Sequence, residues 1–129
     1  ARNARRHAVS HRIAFVRTSF LEGVRTSADL IVSNPPYVPE SDAPRLTPGV
    51  VPHEPYIALF GGRDGLAAIR QILATAGRHL ATHGRLIVEF GLGQETDVIA
   101  LAEDSGWRVL RVREDLQGIP RTMVLGRQP

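Results

Sequence analysis

The 129-residue sequence contains no cysteine, and all sixteen of its basic residues are arginine, so it has no lysine either. The missing thiols exclude a disulfide scaffold, a cysteine nucleophile and cysteine-ligated zinc or iron–sulfur sites. No apolar run approaches the roughly 20 residues that a membrane helix requires, and no signal-peptide pattern opens the chain. A cytoplasmic protein with no membrane contact is expected. There is no internal repeat and no low-complexity segment. What remains is ordinary globular composition, 43% apolar and 22% charged. A chain of this length buries roughly two-thirds of its unfolded surface, enough for one core.

The net charge of +3 is unevenly spread. Residues 1–25 hold six arginines (Arg2, Arg5, Arg6, Arg12, Arg17, Arg25) against the single acid Glu22, whereas the rest of the chain carries a small net negative charge. Such a basic segment has the charge to touch nucleic acid, but a solvated helix face with a coding bias toward arginine is the favoured reading, because no aromatic residues interleave with these arginines as a stacking platform requires.

Residues 2–9 read as the last turns of a helix, and 13–17 (IAFVR) as a strand. Residues 29–33 (DLIVS) form a compact apolar run, the pattern of a strand buried on both faces. Residues 34–63 lack periodicity and hold seven of the nine prolines; a loop of that length in a compact domain is usually functional. Asp64 is placed as the N-cap of a helix running to about His83, with Leu66, Ile69, Leu73 and Leu80 as its apolar stripe and Gly84 as its C-cap. A strand over 85–90, a helix over 94–105 closed by Gly106, and strands over 107–113 and 121–126 complete the order. The last two strands read as an antiparallel hairpin. Strands alternating with helices predict an α/β architecture with a mostly parallel sheet.

The segment with most chemical content follows the 29–33 strand at once: Asn34-Pro35-Pro36-Tyr37. Ligands of open α/β sheets bind beyond the carboxyl ends of the strands, which is where this tetrapeptide falls. Two prolines fix φ twice, push Asn34 into an extended conformation and remove two N–H donors. The turn therefore offers rigid acceptors, the Asn34 side-chain oxygen and the carbonyls, beside the flat ring of Tyr37. A planar NH₂ group matches that set. Its nitrogen is a poor nucleophile, and holding both hydrogens orients the attack and stabilises the developing positive charge. The electrophile that suits such a site is the methyl group of S-adenosylmethionine, whose sulfonium is tolerated near an aromatic face.

Asn-Pro-Pro-Tyr resembles the signature of the amino-methyltransferases acting on adenine, guanine and glutamine. Further segments narrow the resemblance: His53-Glu54-Pro55, Ala58-Leu59, Gly61-Gly62-Arg63-Asp64-Gly65-Leu66, Leu86-Ile87-Val88-Glu89-Phe90-Gly91 and the closing Arg121 to Arg127 stretch. Together they are similar to the release-factor glutamine N5-methyltransferase family, nearly end to end. The resemblance implies a Rossmann-like class I methyltransferase fold and S-adenosylmethionine as cofactor. It implies the glutamine of the Gly-Gly-Gln loop of peptide-chain release factors as substrate, gripped by Asn34 to Tyr37, with Asn34 also against the cofactor. Ser19 and Phe20 fall where the family has an acid and an aromatic near the adenine; Phe20 keeps the ring, whereas Ser19 replaces the acid. Glu54 and Glu89 are carboxylates expected to stand behind the residues that touch substrate.

The family's glycine-rich cofactor loop and the acid that holds the ribose have no counterpart in this sequence. Residues 1–129 therefore match the C-terminal portion of a single methyltransferase domain, with 34–63 as its substrate loop. The expectation is an incomplete sheet, poor cofactor binding by this chain alone, and strand exchange or dimerisation to cover the open edge. Two other readings stand beside the glutamine methyltransferase: an enzyme for exocyclic amines of DNA or RNA, which must accept a flipped or unpaired base, and an inactive fragment that binds release factor without turnover. No metal site is expected. His79 and His83 have i, i+4 spacing, but Leu80 occupies the position of the zinc-protease glutamate, and His7 and His11 have no third ligand. Gly91-Leu92-Gly93 lacks the third glycine of a dinucleotide fingerprint and is expected to border the site. No G-x-S-x-G elbow is present.

Overall fold

The computed structural model describes residues 1–45 and 55–128. Its centre is a four-stranded sheet formed by β1 (Ala28–Ser33), β2 (Leu80–Glu89), β3 (Trp107–Glu114) and β4 (Pro120–Arg127), in the order β1-β2-β4-β3. β1 runs parallel to β2, and β4 is antiparallel to both β2 and β3. The sheet within this chain is thus mixed: its parallel part is the β1–β2 pair, and the expected C-terminal hairpin supplies the antiparallel part. Helices α1 (Arg2–Arg6), α2 (Tyr56–Leu59), α3 (Ala67–Ala76) and α4 (Glu95–Asp104) complete the elements.

One face of the sheet forms the core. Leu86, Val88, Met123 and Leu125 are fully buried on it, with Phe90 just beyond β2. The covering layer is Ile69, Ile72, Leu73 and Ala76 of α3 with Val98 and Ala102 of α4. The α3 positions follow helical spacing, which is why this segment folds as an amphipathic helix. Each large side chain so buried contributes about 1.5–3 kcal/mol. An exposed ion pair contributes about 1 kcal/mol at most; the Arg70–Asp64 pair, with side chains 47% and 49% exposed, is of that kind. Apolar burial therefore holds sheet and helices together. Trp107 completes the core, with its ring buried and its Nε1–H donating to the Leu73 carbonyl at 2.9 Å.

Four sequence expectations are corrected. Residues 13–17 form no strand. Ile13, Phe15 and Val16 are exposed, and β propensity alone makes no strand where no ladder partner lies alongside. β1 is not buried on both faces, since Leu30 is 52% and Val32 67% exposed, while Ile31 packs on the core. The helix after Asp64 ends at Ala76, passes through a 3-10 turn at Gly77–His79 and gives way to β2 at Leu80. The apolar Leu80 is buried as a strand residue paired with Ala28, not as part of the helix stripe. Gly84 is accordingly no helix cap. It lies inside β2, where a Cβ would stand 3.0 Å from the Ala28 carbonyl, so glycine lets the two backbones approach.

The elements beyond β2 match expectation closely. α4 starts one residue after Gln94 and is followed by Gly106 at φ 79°. The β3–β4 turn is built on Asp115, whose Oδ1 accepts the Gln117 and Ile119 amides.

Candidate active site

The site assembles where the two parallel strands end. Ser33 is the last residue of β1 in register with β2, opposite Val88, and the chain then turns through Asn34–Tyr37. Pro35 is buried and anchors the turn, whereas Asn34 is exposed. Among the described residues the Asn34 side chain makes no hydrogen bond, which leaves its carboxamide available to a ligand. A cavity of about 210 Å³ opens here, lined by Asn34, Pro35, Pro36, Tyr37, Ala58 and Leu59.

The turn is held from behind by residues 59–65. The Val38 amide donates to the Leu59 carbonyl at 3.0 Å, and the Gly61 amide donates to the Val38 carbonyl at 3.0 Å. The Glu40 amide reaches the Gly62 carbonyl at the same distance. These bonds bring the Pro36 carbonyl so close to Gly61 that a Cβ there would stand 2.6 Å from it. Gly65 meets the Tyr37 carbonyl still more closely. The Gly-Gly-Arg-Asp-Gly stretch is thus a backbone cradle for the proline turn, and two of its glycines are required by close approach.

The second strand end contributes Glu89 and the 91–94 turn. Tyr37 donates its hydroxyl to Glu89 Oε1 at 3.4 Å. Burial pushes the Tyr37 hydroxyl pKa up, and the Glu89 charge and hydrogen bond push it further, against an opposing effect of Arg121. The phenol is therefore a neutral donor throughout the physiological range. Gln94 bridges the two strand ends: its Nε2 donates to the Tyr37 carbonyl at 2.9 Å, and its Oε1 accepts the Gly91 amide at 2.7 Å. An open cleft of about 500 Å³ lies beside this bridge, lined in part by Tyr37, Asp42, Asp64, Leu92, Gln94 and Arg121. A larger, polar cleft of about 590 Å³ runs along Arg111–Asp115 and shares no lining residue with the proline turn. Position at the carboxyl ends of parallel strands identifies the site here; volume does not.

The remaining sequence candidates are distributed as follows. Glu89 joins Asn34–Tyr37 through its contact with Tyr37. Ser19 and Phe20 lie in a separate turn, with Phe20 at φ 46°, and neither lines the cavities at Tyr37. Glu54 lies outside the described residues, as does His53. His79 ends the 3-10 turn and His83 is a strand residue, so the i, i+4 helical spacing is not realised. No cluster of three potential metal ligands occurs among the described residues. Sequence reasoning missed Gln94, Arg121 and the cradle role of Gly61 and Gly65. A signal for Gln94 existed, a carboxamide directly after the Gly-Leu-Gly turn that was expected to border the site.

The strand order and the exposed asparagine after β1 define a methyltransferase-like α/β unit. The ribosomal protein L11 methylase of Lactobacillus delbrueckii superposes over 99% of this chain and 50% of its own, with a TM-score of 0.66 at 16% identity. That likeness establishes the class I methyltransferase fold. The protein-(glutamine-N5) methyltransferase of Alicyclobacillus acidocaldarius matches 80% of this chain and 50% of its own, with a TM-score of 0.50 at 29% identity.

Within that class the chain is similar in sequence to the release factor glutamine methyltransferases. It is 42% identical over 122 residues to the one from Bradyrhizobium diazoefficiens, covering 94% of this chain and 41% of that protein. It is 39% identical over 127 residues to the one from Agrobacterium fabrum, covering 98% and 44%. A bifunctional methyltransferase of Rickettsia felis is 36% identical over 95% of this chain and 23% of its own length. No family model matches. The resemblance carried by Asn34–Tyr37 and the flanking segments is thus borne out along nearly the whole sequence. The chain spans about two-fifths of the length of the first two of these relatives. Among the described residues no helix is long and apolar enough to cross a membrane.

Proposed function

We propose that this chain carries the substrate-gripping part of an S-adenosylmethionine-dependent methyltransferase that modifies the side-chain amide nitrogen of a glutamine in peptide-chain release factors. The observation that carries the reading is the exposed, unengaged Asn34 carboxamide on a turn whose two prolines supply carbonyl acceptors and no N–H donor. The similarity to release factor glutamine methyltransferases favours glutamine over a nucleobase amine, which would present the same two hydrogens.

The fit of the cofactor is partial and specific. A cavity of about 210 Å³ beside Asn34 suits a carboxamide and the methyl group it receives, not the whole cofactor. When bound, S-adenosylmethionine would supply an electrophilic methyl whose bond to sulfur breaks, its electron pair passing to sulfur, as the bond to nitrogen forms. Asn34 Oδ1 and the Pro35 carbonyl accept the two amide hydrogens and aim the nitrogen lone pair. Tyr37 covers one face of the planar amide. As the nitrogen gains its new carbon bond it becomes positive, and the two oxygen dipoles stabilise that charge before a proton passes to water. Glu89 holds the Tyr37 hydroxyl and so sets the ring plane. Glu54 is read as a second supporting carboxylate, and Phe20 and Ser19 as residues near the adenine. The reading implies a cytoplasmic protein, where release factors act.

Methyl transfer from labelled cofactor to a release factor and, separately, to DNA and RNA tests this. Label is expected on the release factor glutamine only. Labelled nucleic acid with unlabelled release factor overturns the reading, and release-factor binding without any transfer points to the non-catalytic alternative.

A further inference from the structure

We propose that Gln94 is a positioning residue for the transfer: its buried carboxamide fixes the Tyr37 carbonyl to the turn after β2 and thereby sets the direction of the Asn34 and Pro35 acceptors. The inference rests on the amide grip proposed above.

Gln94 is the one buried polar or charged residue among those described, with 8% of its surface exposed. A buried primary amide is tolerated only when its donor and acceptor are both engaged. Here they are, at 2.9 Å to the Tyr37 carbonyl and 2.7 Å from the Gly91 amide. The space it occupies has been cleared of side chains. A Cβ on Gly65 would stand 2.7 Å from Gln94 Nε2, and one on Gly91 would stand 2.8 Å from Oε1. Burial alone would be served by leucine or methionine; two hydrogen bonds to two different strand ends would not.

The geometry explains why this bond reaches the acceptors. Register with β2 ends at Ser33. Pro35 and Pro36 have no N–H, so neither can donate a backbone hydrogen bond. Beyond them, the Tyr37 carbonyl is held by Gln94 and the Val38 amide by Leu59. The rigid prolines transmit the orientation of that anchor back to the Pro35 carbonyl and Asn34. Gln94 is itself immobilised, because its own carbonyl accepts the Val98 amide at 2.9 Å in the first turn of α4, and Val98 is fully buried.

The test compares Gln94→Glu, Gln94→Met and Asn34→Ala in the longest natural polypeptide that contains this sequence, with kcat and KM for release factor expressed per folded, cofactor-binding molecule. Gln94→Glu keeps the acceptor for Gly91 and sets a carboxylate oxygen against the Tyr37 carbonyl. Its kcat is expected to fall at least tenfold with KM within twofold, and to recover as acidification protonates the carboxyl and restores a donor. Asp42, Asp64 and Arg121 line the same cleft and Glu89 touches Tyr37, so the pH profile is read as the ratio to wild type. Gln94→Met preserves volume, removes both bonds and decides the matter if Gln94→Glu does not fold; the same tenfold loss is expected, without recovery in acid. A purely structural role predicts lower melting temperatures with kcat per folded molecule unchanged, and that result overturns the inference. Full activity in Asn34→Ala overturns the amide grip itself, whereas an inactive Asn34→Ala beside fully active Gln94 variants overturns only the positioning role.

Discussion

The Tyr37 carbonyl lies directly against the Cα of Gly65, where any Cβ would overlap it. Gly65 also has φ 75°, so two independent constraints select glycine. Gly93 provides the control, with φ 79° and nothing within 4 Å of the place a Cβ would take. Gly65→Ala is expected to cost at least about 3 kcal/mol, the left-handed penalty plus displacement of the turn, and Gly93→Ala only about 1–2 kcal/mol. Denaturant unfolding of both variants checks this. Equal costs would mean that the Tyr37 carbonyl is free to move away from Gly65.

Asn34 is exposed and makes no hydrogen bond among the described residues, so its side chain adds little to the fold. Asn34→Ala is expected to change stability by no more than about 0.5 kcal/mol. Loss of one of two acceptors aimed at the developing charge should lower methyl transfer by about 10²-fold or more. Calorimetric melting and single-turnover methyl transfer on the same sample check both halves. A large loss of stability with normal turnover per folded molecule would reverse the assignment.

Legibility in the sequence followed the range of the interactions. β1, α4 and the β3–β4 hairpin were readable because their apolar spacing and turn residues act locally. The Asn34–Tyr37 site was readable because prolines constrain their own backbone. The end of α3 was not, since Leu80 continues the helical apolar spacing and only its pairing with Ala28 makes it a strand residue. The run at 13–17 misled in the opposite direction, as its composition suits a strand while no described residue pairs with it. Gln94 and Arg121 reach the site through contacts 57 residues apart in the first case and through a neighbouring strand in the second. No local pattern encodes Arg121, and for Gln94 the local sequence offers only its place directly after the Gly-Leu-Gly turn.

The Tyr37 hydroxyl gives a signature at alkaline pH. Burial first, then the charge and hydrogen bond of Glu89, raise its folded-state pKa above the usual 10.0. The unfolded chain then loses this proton before the folded one. The associated stability is complete below pH 10 and is lost as pH rises through the folded-state value. Tyr56 is also raised, through slight desolvation of its hydroxyl and its contact with Glu40, but it is common to wild type and Tyr37→Phe. Unfolding free energies between pH 9 and about pH 11 should therefore fall more steeply in wild type than in Tyr37→Phe. Superimposable alkaline limbs would show that the Tyr37 hydroxyl keeps its ordinary pKa in the folded protein.

Asp64 sets the corresponding acid limb. Its carboxylate accepts hydrogen bonds from Arg70 and from the Leu66 amide just ahead of α3. The Arg70 bond first, then the Leu66 bond, lower its pKa from 3.8 to about 2. With the folded value depressed, the stabilisation is complete above the unfolded value and disappears as pH falls through the folded one. The side chain is half exposed, so solvent screening keeps the contribution at neutral pH small. Asp64→Asn retains an acceptor for the Leu66 amide, removes the charge and replaces one of the two oxygens that accept from Arg70 with an NH₂ group. Urea unfolding between pH 5 and about pH 2 should show a shallower acid limb in Asp64→Asn than in wild type, with Asp115 contributing equally to both. High salt should narrow that difference, because the pair is open to solvent. An identical acid limb in the two proteins would show that neither Arg70 nor the Leu66 amide holds the Asp64 carboxyl below its ordinary value in solution.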